Sequence, residues 1–336
     1  MVGVNFKVTL APSNRQFEIA EGSTILDAAA RSQLSLAHGC RDGSCGSCKS
    51  RVLSGQISHP DNCAGITPDE LAKGYVLSCV ATADSDIQLE SDWYPELDGI
   101  KAALFPCKVD SISFPASDIA ILTLRLPADS IVNYLPGQYI DLIWKGLRRS
   151  YSIACANTQG AGLELHIRQL AHGVFSDLVF NQLKPGTLLR LEGPHGTFFV
   201  RDSEAPIIFL AGGTGFAPIK AMIERLFEQH STRSIHLYWG AASVDHLYSG
   251  LPDEWHKKYQ NFSYTPVISS DDTGWSGHRG LVHQAVLDDH SDLRPFEVYA
   301  CGSADMITVA KTEFVGRRLL AEHFFSDAFT AHKPNK

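Results

Sequence analysis

Four of the eight cysteines in this 336-residue chain have a spacing that strongly constrains how the chain folds. Three lie in the loop CRDGSCGSC, and the spacing C-x4-C-x2-C-x30-C relates Cys40, Cys45, Cys48 and Cys79. A loop this tight turns several thiolates inward only if the residues between them are small, and Gly and Ser fill most of those places. The spacing therefore predicts a metal centre that ties the loop to a distant segment.

The spacing is that of the plant-type [2Fe-2S] ligand set. Structural zinc is the main alternative, but zinc sites usually pair their ligands as two CxxC-like knuckles, and here only Cys45 and Cys48 form one. We therefore predict a [2Fe-2S] cluster held by Cys40, Cys45, Cys48 and Cys79. Cys63 lies between the third and fourth ligands without such a spacing, and it is expected to be an ordinary core or surface thiol.

Composition sets the class of the protein. A chain of 336 residues corresponds to two or three domains. The 29 Lys+Arg against 37 Asp+Glu give a net charge of -8, which disfavours nucleic-acid and anionic-membrane partners. No apolar run reaches the roughly 18 residues of a membrane span, and MVGVNFKVTL lacks a signal-peptide core. The expected location is the cytoplasm.

Hydrophobic patterning divides the chain into domains. Residues 1–92 contain short strands, one helix and the cysteine loop, and residues 93–102 have Pro and Gly without periodicity, which predicts a linker. Residues 103–202 are mainly short β segments, which favours an antiparallel barrel or sandwich. Residues 203–336 alternate strand and helix, which favours a parallel sheet covered by helices. The predicted fold class is thus multi-domain, with α+β and α/β parts.

The β-rich segment carries several short strings that suggest a dinucleotide site. Arg149-Ser150-Tyr151-Ser152 reads R-x-Y-S on a strand, PGQY lies upstream, and His166-Ile167-Arg168 lies downstream. Gly173-Val174-Phe175-Ser176 opens the one predicted helix of this segment, Val174–Leu183. A helix that begins at a glycine offers free N–H groups to a phosphate.

The third segment carries a glycine loop in the setting that phosphate binding requires. The strand Ile207–Leu210 leads into Gly212-Gly213-Thr214-Gly215, and Pro218 is predicted to open the following helix. Cys301-Gly302 follows a second strand, FEVYA.

These strings resemble known families. Residues 1–92, with CRDGSCGSC, resemble a plant-type ferredoxin of β-grasp fold. PGQY, RxYS and GxxS in this order resemble the antiparallel FAD-binding barrel of the ferredoxin-NADP reductase family, and GGTGFAP resembles its NAD(P) loop. The resemblance implies a set of cofactor-binding residues: Arg149, Ser150, Tyr151, Ser152, His166, Arg168, Gly173, Val174, Ser176, Gly212, Gly213, Thr214, Gly215, Pro218, Cys301 and Gly302.

The resemblance also implies individual roles. Arg149 would hold the FAD pyrophosphate, Tyr151 would pack on the flavin, Ser152 would lie near its reactive nitrogen, and Arg168 would serve the adenine side. Gly173 and Ser176 would lie at the phosphates. Cys301 would place the nicotinamide against the flavin. Phe329, in FFSDAF, resembles the aromatic residue that covers the flavin, although seven residues follow it here. Ser152, Cys301 and Phe329 are therefore the predicted catalytic residues.

The nicotinamide is predicted to be NADH. NADPH carries a 2′-phosphate that calls for Arg or Lys near the adenosine ribose, and neither AASVD (241–245) nor SDD (270–272) supplies one. Arg279 is the residue that would reverse this prediction if it folded back toward the ribose.

The three parts together predict an electron path from NADH to FAD to [2Fe-2S] to a partner protein. Their order resembles the single-chain reductases that serve bacterial oxygenases and related enzymes. WYPEL, SADMIT and FFSDAF resemble the reductases of CDP-dideoxysugar synthesis, which implies a pyridoxamine-phosphate-dependent dehydratase as the partner. A reductase for an aromatic-ring dioxygenase or di-iron monooxygenase is the alternative, and a non-enzymatic redox sensor with a structural cluster is a third possibility.

Negative charge is concentrated in the cysteine-containing segment. Residues 1–92 hold seven Lys+Arg and eleven Asp+Glu, so their net charge of -4 is half of the total of -8. We expect the electron acceptor to dock near this segment through a basic patch.

Overall fold

The structure is a computed structural model that describes residues 5–156 and 162–330. The outer ends of the first and last predicted domains, residues 1–4 and 331–336, lie outside the described residues. Residues up to Ile100 form one compact unit, and residues Lys101–Phe329 form another. Within the described ranges, every helix is too short or too polar to cross a lipid bilayer.

The first unit is built on a mixed five-stranded sheet. The strands follow the order β2-β1-β7-β3-β5, in which β1 and β7 are parallel and the other pairs are antiparallel. Two short strands, β4 and β6, form a separate pair. The strands are β1 (Asn5–Ala11), β2 (Gln16–Ala20), β3 (Lys49–Ser54), β4 (Ile57–Ser58), β5 (Tyr75–Leu77), β6 (Thr82–Ala83) and β7 (Ile87–Glu90).

Two helices complete this unit, α1 (Ile25–Arg31) and α2 (Pro68–Ala72). Helix α1 begins after Thr24, whose hydroxyl accepts a hydrogen bond from the Asp27 N–H, and its Ile, Leu and Ala side chains are buried in the core. A helix on a mixed sheet is the predicted β-grasp arrangement. The start of the predicted linker belongs to this unit, because Trp93 pairs with Leu36 and packs against the same core. The domain boundaries stay predictions.

The second unit contains the predicted antiparallel sheet. Its six strands follow the order β11-β10-β13-β8-β9-β12. The two edge strands meet through a bridge between Ile153 and Leu165, and the Ala154 N–H donates to the Glu164 carbonyl at 2.8 Å, so the sheet curls back on itself as a barrel. The strands are β8 (Ala103–Ala116), β9 (Ile119–Arg125), β10 (Tyr139–Trp144), β11 (Leu147–Ser152), β12 (Leu163–Arg168) and β13 (Leu188–His195).

One helix, α3 (Val174–Gln182), interrupts these strands where the sequence predicts it. The β10–β11 hairpin turns on Lys145 and Gly146, both with positive φ, as a two-residue turn between twisted strands requires.

The second unit also contains the predicted parallel sheet, in the order β17-β16-β15-β14-β18-β19, with every pair parallel. Separate hydrophobic cores cover its two faces. The strands are β14 (Ile207–Gly212), β15 (Ile235–Ala241), β16 (Phe262–Ile268), β17 (His278–Arg279), β18 (Glu297–Ser303) and β19 (Phe324–Phe329). The helices are α4 (Phe216–Glu228), α5 (Leu251–Lys258), α6 (Val282–Asp289) and α7 (Ala304–Gly316).

Helix α4 corrects one sequence prediction. Pro218 does not open this helix but is its third residue, because a 3-10 turn over Gly213–Gly215 leads directly into Phe216. Proline is tolerated there because the first four N–H groups of a helix have no partner within it.

A buried ion pair fixes the amino-terminal end of the parallel sheet. The Arg233 guanidinium contacts the Glu297 carboxylate at 2.7 Å, and both side chains are only 6% exposed. Arg233 also donates to the carbonyls of Ala205 and Arg201, so it joins β18 to the segment that enters β14.

Candidate functional site

The four predicted cluster ligands lie together in the first unit as two pairs. Cys45 accepts from the Cys40 N–H at 3.3 Å, and Cys40 accepts from the Ser44 and Cys45 N–H groups, also at 3.3 Å. The sulfurs of Cys48 and Cys79 lie 3.2 Å apart. None of the four cysteines is in a disulfide.

This arrangement fits a dinuclear cluster. No group of three His, Cys, Asp or Glu side chains in the described ranges surrounds one point as a single ion requires. Each iron of a [2Fe-2S] cluster takes two of the four cysteines, and the structure provides two cysteine pairs. Backbone N–H groups already point at the Cys40 and Cys45 sulfurs, which is how a protein stabilises the negative charge of such a cluster. The four residues therefore suit the predicted group.

Local folding explains why Cys79 reaches the loop. The N-terminal N–H groups of α1 donate to the carbonyls of Ser78 and Ala81, on either side of Cys79. The Ser78 N–H donates in turn to the Cys48 carbonyl at 3.1 Å. Two backbone N–H groups at the start of α1, which have no partner within the helix, thus hold Cys79 against the cysteine loop.

The loop backbone depends on glycine. Gly43 and Gly46 have φ values of +79° and +77°, and a Cβ at Gly46 would lie 2.8 Å from the Gly65 carbonyl oxygen. The Cys63 sulfur lies 3.1 Å from the place of a Cβ at Gly43, so Cys63 packs against the loop.

One cysteine of each pair is biased toward the thiolate. A hydrogen bond from the Cys40 side chain lowers the pKa of Cys45 to about 5, against the effect of burial. A hydrogen bond from Cys79 likewise lowers the pKa of Cys48. The thiolate is the form that binds iron.

In the barrel, the structure brings the R-x-Y-S strand and the glycine-headed helix together. Arg149 and Tyr151 are two positions apart in β11, so their side chains lie on the same face of the strand. The Tyr151 ring lies 5.9 Å from the ring of Phe175, in the first turn of α3. Burial raises the pKa of Tyr151, so its hydroxyl is neutral. The Arg149 guanidinium donates to the Arg148 carbonyl at 2.7 Å. Ser152 ends the strand and is buried.

Ser150 is an exception in this string. Its side chain lies on the opposite face of β11, where the hydroxyl donates to Asp141 at 2.6 Å beside the Arg148–Asp141 ion pair. The Ser150 hydroxyl is thus bound to Asp141 on the face opposite Arg149 and Tyr151, and its role in cofactor binding stays a prediction.

A cleft of about 610 Å³ lies at the start of α3 and includes Gly173 and Val174 in its wall. Ser176, predicted to contact the phosphates, does not line it. Its buried hydroxyl donates to the Gly173 carbonyl at 2.9 Å and accepts from the Leu170 N–H at 3.2 Å, so it shapes the turn that carries the cleft.

A second cleft, of about 420 Å³, lies at the carboxyl ends of the parallel strands, where open α/β sheets bind their ligands. Gly212, Gly213 and Thr214 line it, together with the residues that end β15 and the start of α7. The Trp239 indole N–H donates to the Gly213 carbonyl at 3.0 Å, which fixes the glycine turn.

Gly215 and Pro218 differ from the other predicted residues of this loop, because both are buried and neither lines the cleft. A Cβ at Gly215 would lie 2.1 Å from the Cys301 carbonyl oxygen. Glycine is thus required for packing where the start of α4 crosses the end of β18, and the cofactor contact of Gly215 stays a prediction.

The remaining nicotinamide-side residues cluster at the end of β18. Cys301 is fully buried, and burial raises the pKa of its thiol, so it is neutral. Gly302 packs against Gly212 and Met306. Phe329 pairs with Ser303 at the end of β19 and is 39% exposed. Their proposed contacts with cofactors stay predictions.

Two residues of β12 have roles that the sequence did not predict. His166 is buried and both ring nitrogens have protein partners, Tyr248 at 2.8 Å and Glu164 at 2.9 Å, so His166 holds protein segments together, and its contact with a cofactor stays a prediction. Arg168 lines the second cleft, with its Nη1 3.7 Å from the place of a Cβ at Gly213, and its contact with the FAD adenine stays a prediction.

Asp118 and His246 are site residues that the sequence analysis missed. The Asp118 carboxylate accepts from Arg168 at 2.9 Å and contacts His246 at 3.2 Å. Asp118 lines the first cleft, and Arg168 and His246 line the second, so the three side chains stand between the clefts. No sequence motif marks these residues, because their contacts join distant parts of the chain.

Three family models match the chain. They are the 2Fe-2S iron-sulfur cluster binding domain over residues 8–84, the oxidoreductase FAD-binding domain over residues 106–200 and the oxidoreductase NAD-binding domain over residues 209–312.

Similar proteins cover the whole arrangement. The chain is 49% identical to the CDP-6-deoxy-L-threo-D-glycero-4-hexulose-3-dehydrase reductase of Yersinia pseudotuberculosis, over 98% of this chain and all of that one. It is 34% identical to terephthalate 1,2-dioxygenase reductase component 1 of Comamonas sp, over 97% and 98%. The crystal structure of Amycolatopsis cytochrome P450 reductase GcoB matches with a TM-score of 0.81 and 27% identity, over 97% of this chain and 99% of that one.

The chain therefore belongs to the [2Fe-2S] ferredoxin-reductase family, in which an iron–sulfur domain, an FAD-binding domain and an NAD-binding domain share one polypeptide. It is an oxidoreductase that transfers electrons, and the predicted resemblance to the CDP-6-deoxyhexulose dehydrase reductases is confirmed. The predicted [2Fe-2S], FAD and NAD cofactor types are confirmed by the matching domains. The redox-sensor alternative is disfavoured, since the relatives are named reductases.

Proposed function

We propose that this reductase takes electrons from NADH and delivers them, through FAD and the [2Fe-2S] cluster, to a CDP-6-deoxyhexulose 3-dehydrase. The observation that carries the proposal is the 49% identity over 98% of the chain to a reductase of that dehydrase. When bound, FAD accepts the two electrons of a hydride and releases them singly, which matches a one-electron cluster to a two-electron donor.

Different residues of the second unit would bind FAD and the nicotinamide nucleotide. Arg149 offers charge to the FAD pyrophosphate, and Tyr151 offers its ring to the flavin. Gly173 and Val174 offer the free N–H groups at the start of α3. The second cleft, lined by Gly212, Gly213 and Thr214, would bind the nicotinamide nucleotide and is called the nicotinamide cleft. Arg168 would face the phosphates of the nucleotide, because it lines the same cleft as Gly213.

NADH is proposed over NADPH because Arg279, the basic residue considered for the 2′-phosphate, is engaged elsewhere. Arg279 donates to the carbonyls of Ser270 at 3.2 Å and Trp275 at 2.8 Å, and also to that of Asp272. Its guanidinium is thus tied to the loop carbonyls. The Asp272 carboxylate accepts from the Ser270 hydroxyl at 2.9 Å, so a negative charge stands on this loop.

We expect kcat/KM for NADH to exceed that for NADPH by at least about tenfold, equivalent to about 1.4 kcal/mol. The measurement is initial-rate ferricyanide reduction with each nucleotide. Asp272→Asn is expected to narrow the preference, since it removes negative charge from this loop. Equal or better use of NADPH by the unaltered protein would contradict the proposal.

The partner is proposed to dock on the acidic surface of the first unit. Nine of the eleven acidic side chains in residues 1–92 are exposed, and Asp42 lies within the cysteine loop itself. Electron transfer to the partner is expected to slow as NaCl rises from about 0.05 to 0.5 M, because salt screens exposed charges.

The control for this prediction is anaerobic reduction of the bound flavin by NADH at the same salt concentrations. A rate of electron transfer to the partner that does not change with salt, or that changes only in step with flavin reduction, would count against electrostatic docking.

The second candidate function is a reductase for an oxygenase, which the 34% identity to a terephthalate dioxygenase reductase supports. The two functions share all cofactors, so only the acceptor distinguishes them. The test mixes the reductase and NADH either with the dehydrase and its CDP-sugar or with the dioxygenase and terephthalate. Product formed only with the dehydrase is the expected result, and product only with the dioxygenase would reverse the assignment.

A further inference from the structure

Three polar side chains on one face of β12 point toward the parallel-sheet part of the second unit. Glu164, His166 and Arg168 alternate with Leu165 and Ile167, which are fully buried in the barrel core. The strand thus presents an apolar face to the barrel and a polar face to the α/β part.

Glu164 is the centre of the contacts on this polar face. Its Oε1 accepts from the His166 ring at 2.9 Å and contacts the Lys220 ammonium at 3.2 Å. Lys220 lies in α4, directly after the glycine turn of the nicotinamide cleft. The other ring nitrogen of His166 bonds to the Tyr248 hydroxyl at 2.8 Å. One carboxylate therefore connects the barrel to two separate elements of the α/β part.

Lys220 also reaches the end of β11, the strand that carries Arg149 and Tyr151 and is called the flavin-side strand. Its ammonium donates to the Ala154 carbonyl at 2.8 Å, two residues beyond Ser152, and pairs with Glu224 at 2.8 Å. The Lys220 side chain is 9% exposed and that of His166 is 1% exposed, so water contributes little to their solvation. Buried polar side chains such as these keep a defined geometry, because moving one of them would leave its partner without a hydrogen bond, and an unpaired buried polar group costs free energy.

Charge states agree with this geometry. Burial alone would lower the pKa of Lys220, but Glu164 and Glu224 raise it above its ordinary value. Burial alone would raise the pKa of Glu164, but His166 and Lys220 lower it. Burial lowers the pKa of His166, so its ring is neutral and Nε2–H donates to Glu164 while Nδ1 accepts from Tyr248. The network is therefore a lysine between two carboxylates, Glu164 and Glu224, and a neutral imidazole extends it from Glu164.

We propose that Glu164 is a positioning residue for hydride transfer: through Lys220 and His166 it fixes the nicotinamide cleft relative to the flavin-side strand. This inference rests on the proposed function, in which NADH reduces bound FAD. Glu164 does not line either cleft, so it acts through its two partners and not by contact with a cofactor.

The test compares Glu164→Gln with Glu228→Gln in flavin-loaded protein. Glu228 lies on α4 in an exposed pair with Arg225, so it is the same substitution in a side chain outside the network. Anaerobic stopped-flow reduction by NADH gives the limiting rate and the apparent Kd. Glu164→Gln is expected to lower the limiting rate about 10- to 100-fold, as a misplacement of about 1 Å does, with Kd changed less than about threefold. Glu228→Gln is expected to match the unaltered protein.

A second readout does not depend on turnover. Hydrogen–deuterium exchange, measured without nucleotide, is expected to rise in β12 and the first turns of α4 in Glu164→Gln but not in Glu228→Gln. Unchanged exchange together with an unchanged limiting rate would overturn the proposal.

The double variant Glu164→Gln/Lys220→Met separates positioning from simple destabilisation. It removes the Glu164 and Lys220 charges together, so no lysine is left without its Glu164 partner. Glu224, whose side chain is 27% exposed, remains as the one charge of the network, and the variant is expected to fold but to remain slow. Recovery of the normal limiting rate in the double variant would show that Glu164 only neutralises Lys220 and would overturn the proposal. Failure of the unaltered protein to bleach with NADH would instead overturn the proposed function itself.

Discussion

Serine at Cys45 is expected to abolish the cluster and cytochrome c reduction while NADH-dependent ferricyanide reduction continues through FAD. Cys45 belongs to one of the two sulfur pairs, so its loss leaves one iron with a single thiolate from that pair. The flavin and nicotinamide residues lie in the other compact unit and keep their contacts. The measurements are the cluster absorbance and the two acceptor assays on the same preparation.

Cys63→Ser is the matched control for this variant. Cys63 packs against Gly43 of the same loop but belongs to neither sulfur pair, so its replacement is expected to leave the cluster in place. A cluster that survives Cys45→Ser would contradict the ligand assignment. Loss of ferricyanide reduction in a soluble, flavin-loaded Cys45→Ser protein would contradict the modular electron path.

Alanine at Gly215 is expected to impair both stability and NADH oxidation. The added Cβ would lie 2.1 Å from the Cys301 carbonyl oxygen and 3.0 Å from the Gly302 nitrogen, all backbone atoms, so α4 or the end of β18 must move. Overpacking of this kind costs about 1 to 3 kcal/mol or more. Because both elements border the nicotinamide cleft, a shift of about 1 Å is expected to lower kcat/KM for NADH about 100-fold.

Gly250→Ala is the control for this variant. Gly250 precedes α5 with a φ of −82°, and a Cβ there meets nothing within 4 Å. Urea unfolding and NADH–ferricyanide kinetics are measured for both variants, with flavin content checked. The two variants are compared directly in free energy of unfolding and in kcat/KM for NADH. If Gly215→Ala equals Gly250→Ala in both, the crossing of α4 and β18 tolerates a side chain and the prediction is wrong.

Local sequence patterns predicted the parts of the fold that depend on local physics. The spacing of Cys40, Cys45, Cys48 and Cys79 predicted a cluster site, and the structure brings these four cysteines together as two pairs. Strands with alternating polar and apolar residues indicated the barrel, and the alternation of strands and helices indicated the parallel sheet. Pro218 was placed wrongly because a 3-10 turn extended the helix toward its N-terminus. A helix start depends on hydrogen bonds of the preceding turn, which no single residue encodes.

Long-range contacts were beyond the sequence patterns. The alternation in ELHIR places Glu164, His166 and Arg168 on one face of a strand, but it does not say what covers that face. His166 meets Tyr248 across 82 positions of the chain. The pattern suggested a cofactor ligand, whereas tertiary packing supplied a protein partner for each ring nitrogen of His166.

The polar face of β12 also sets where this enzyme can be recombined with its relatives. The family models place the exchange point between residues 200 and 209, after the barrel. A hybrid joined there would combine Glu164 and His166 of one parent with position 220 and position 248 of the other. Grafts of a foreign nicotinamide module should therefore carry matched residues at these four positions, so that the transplanted module retains its native alignment.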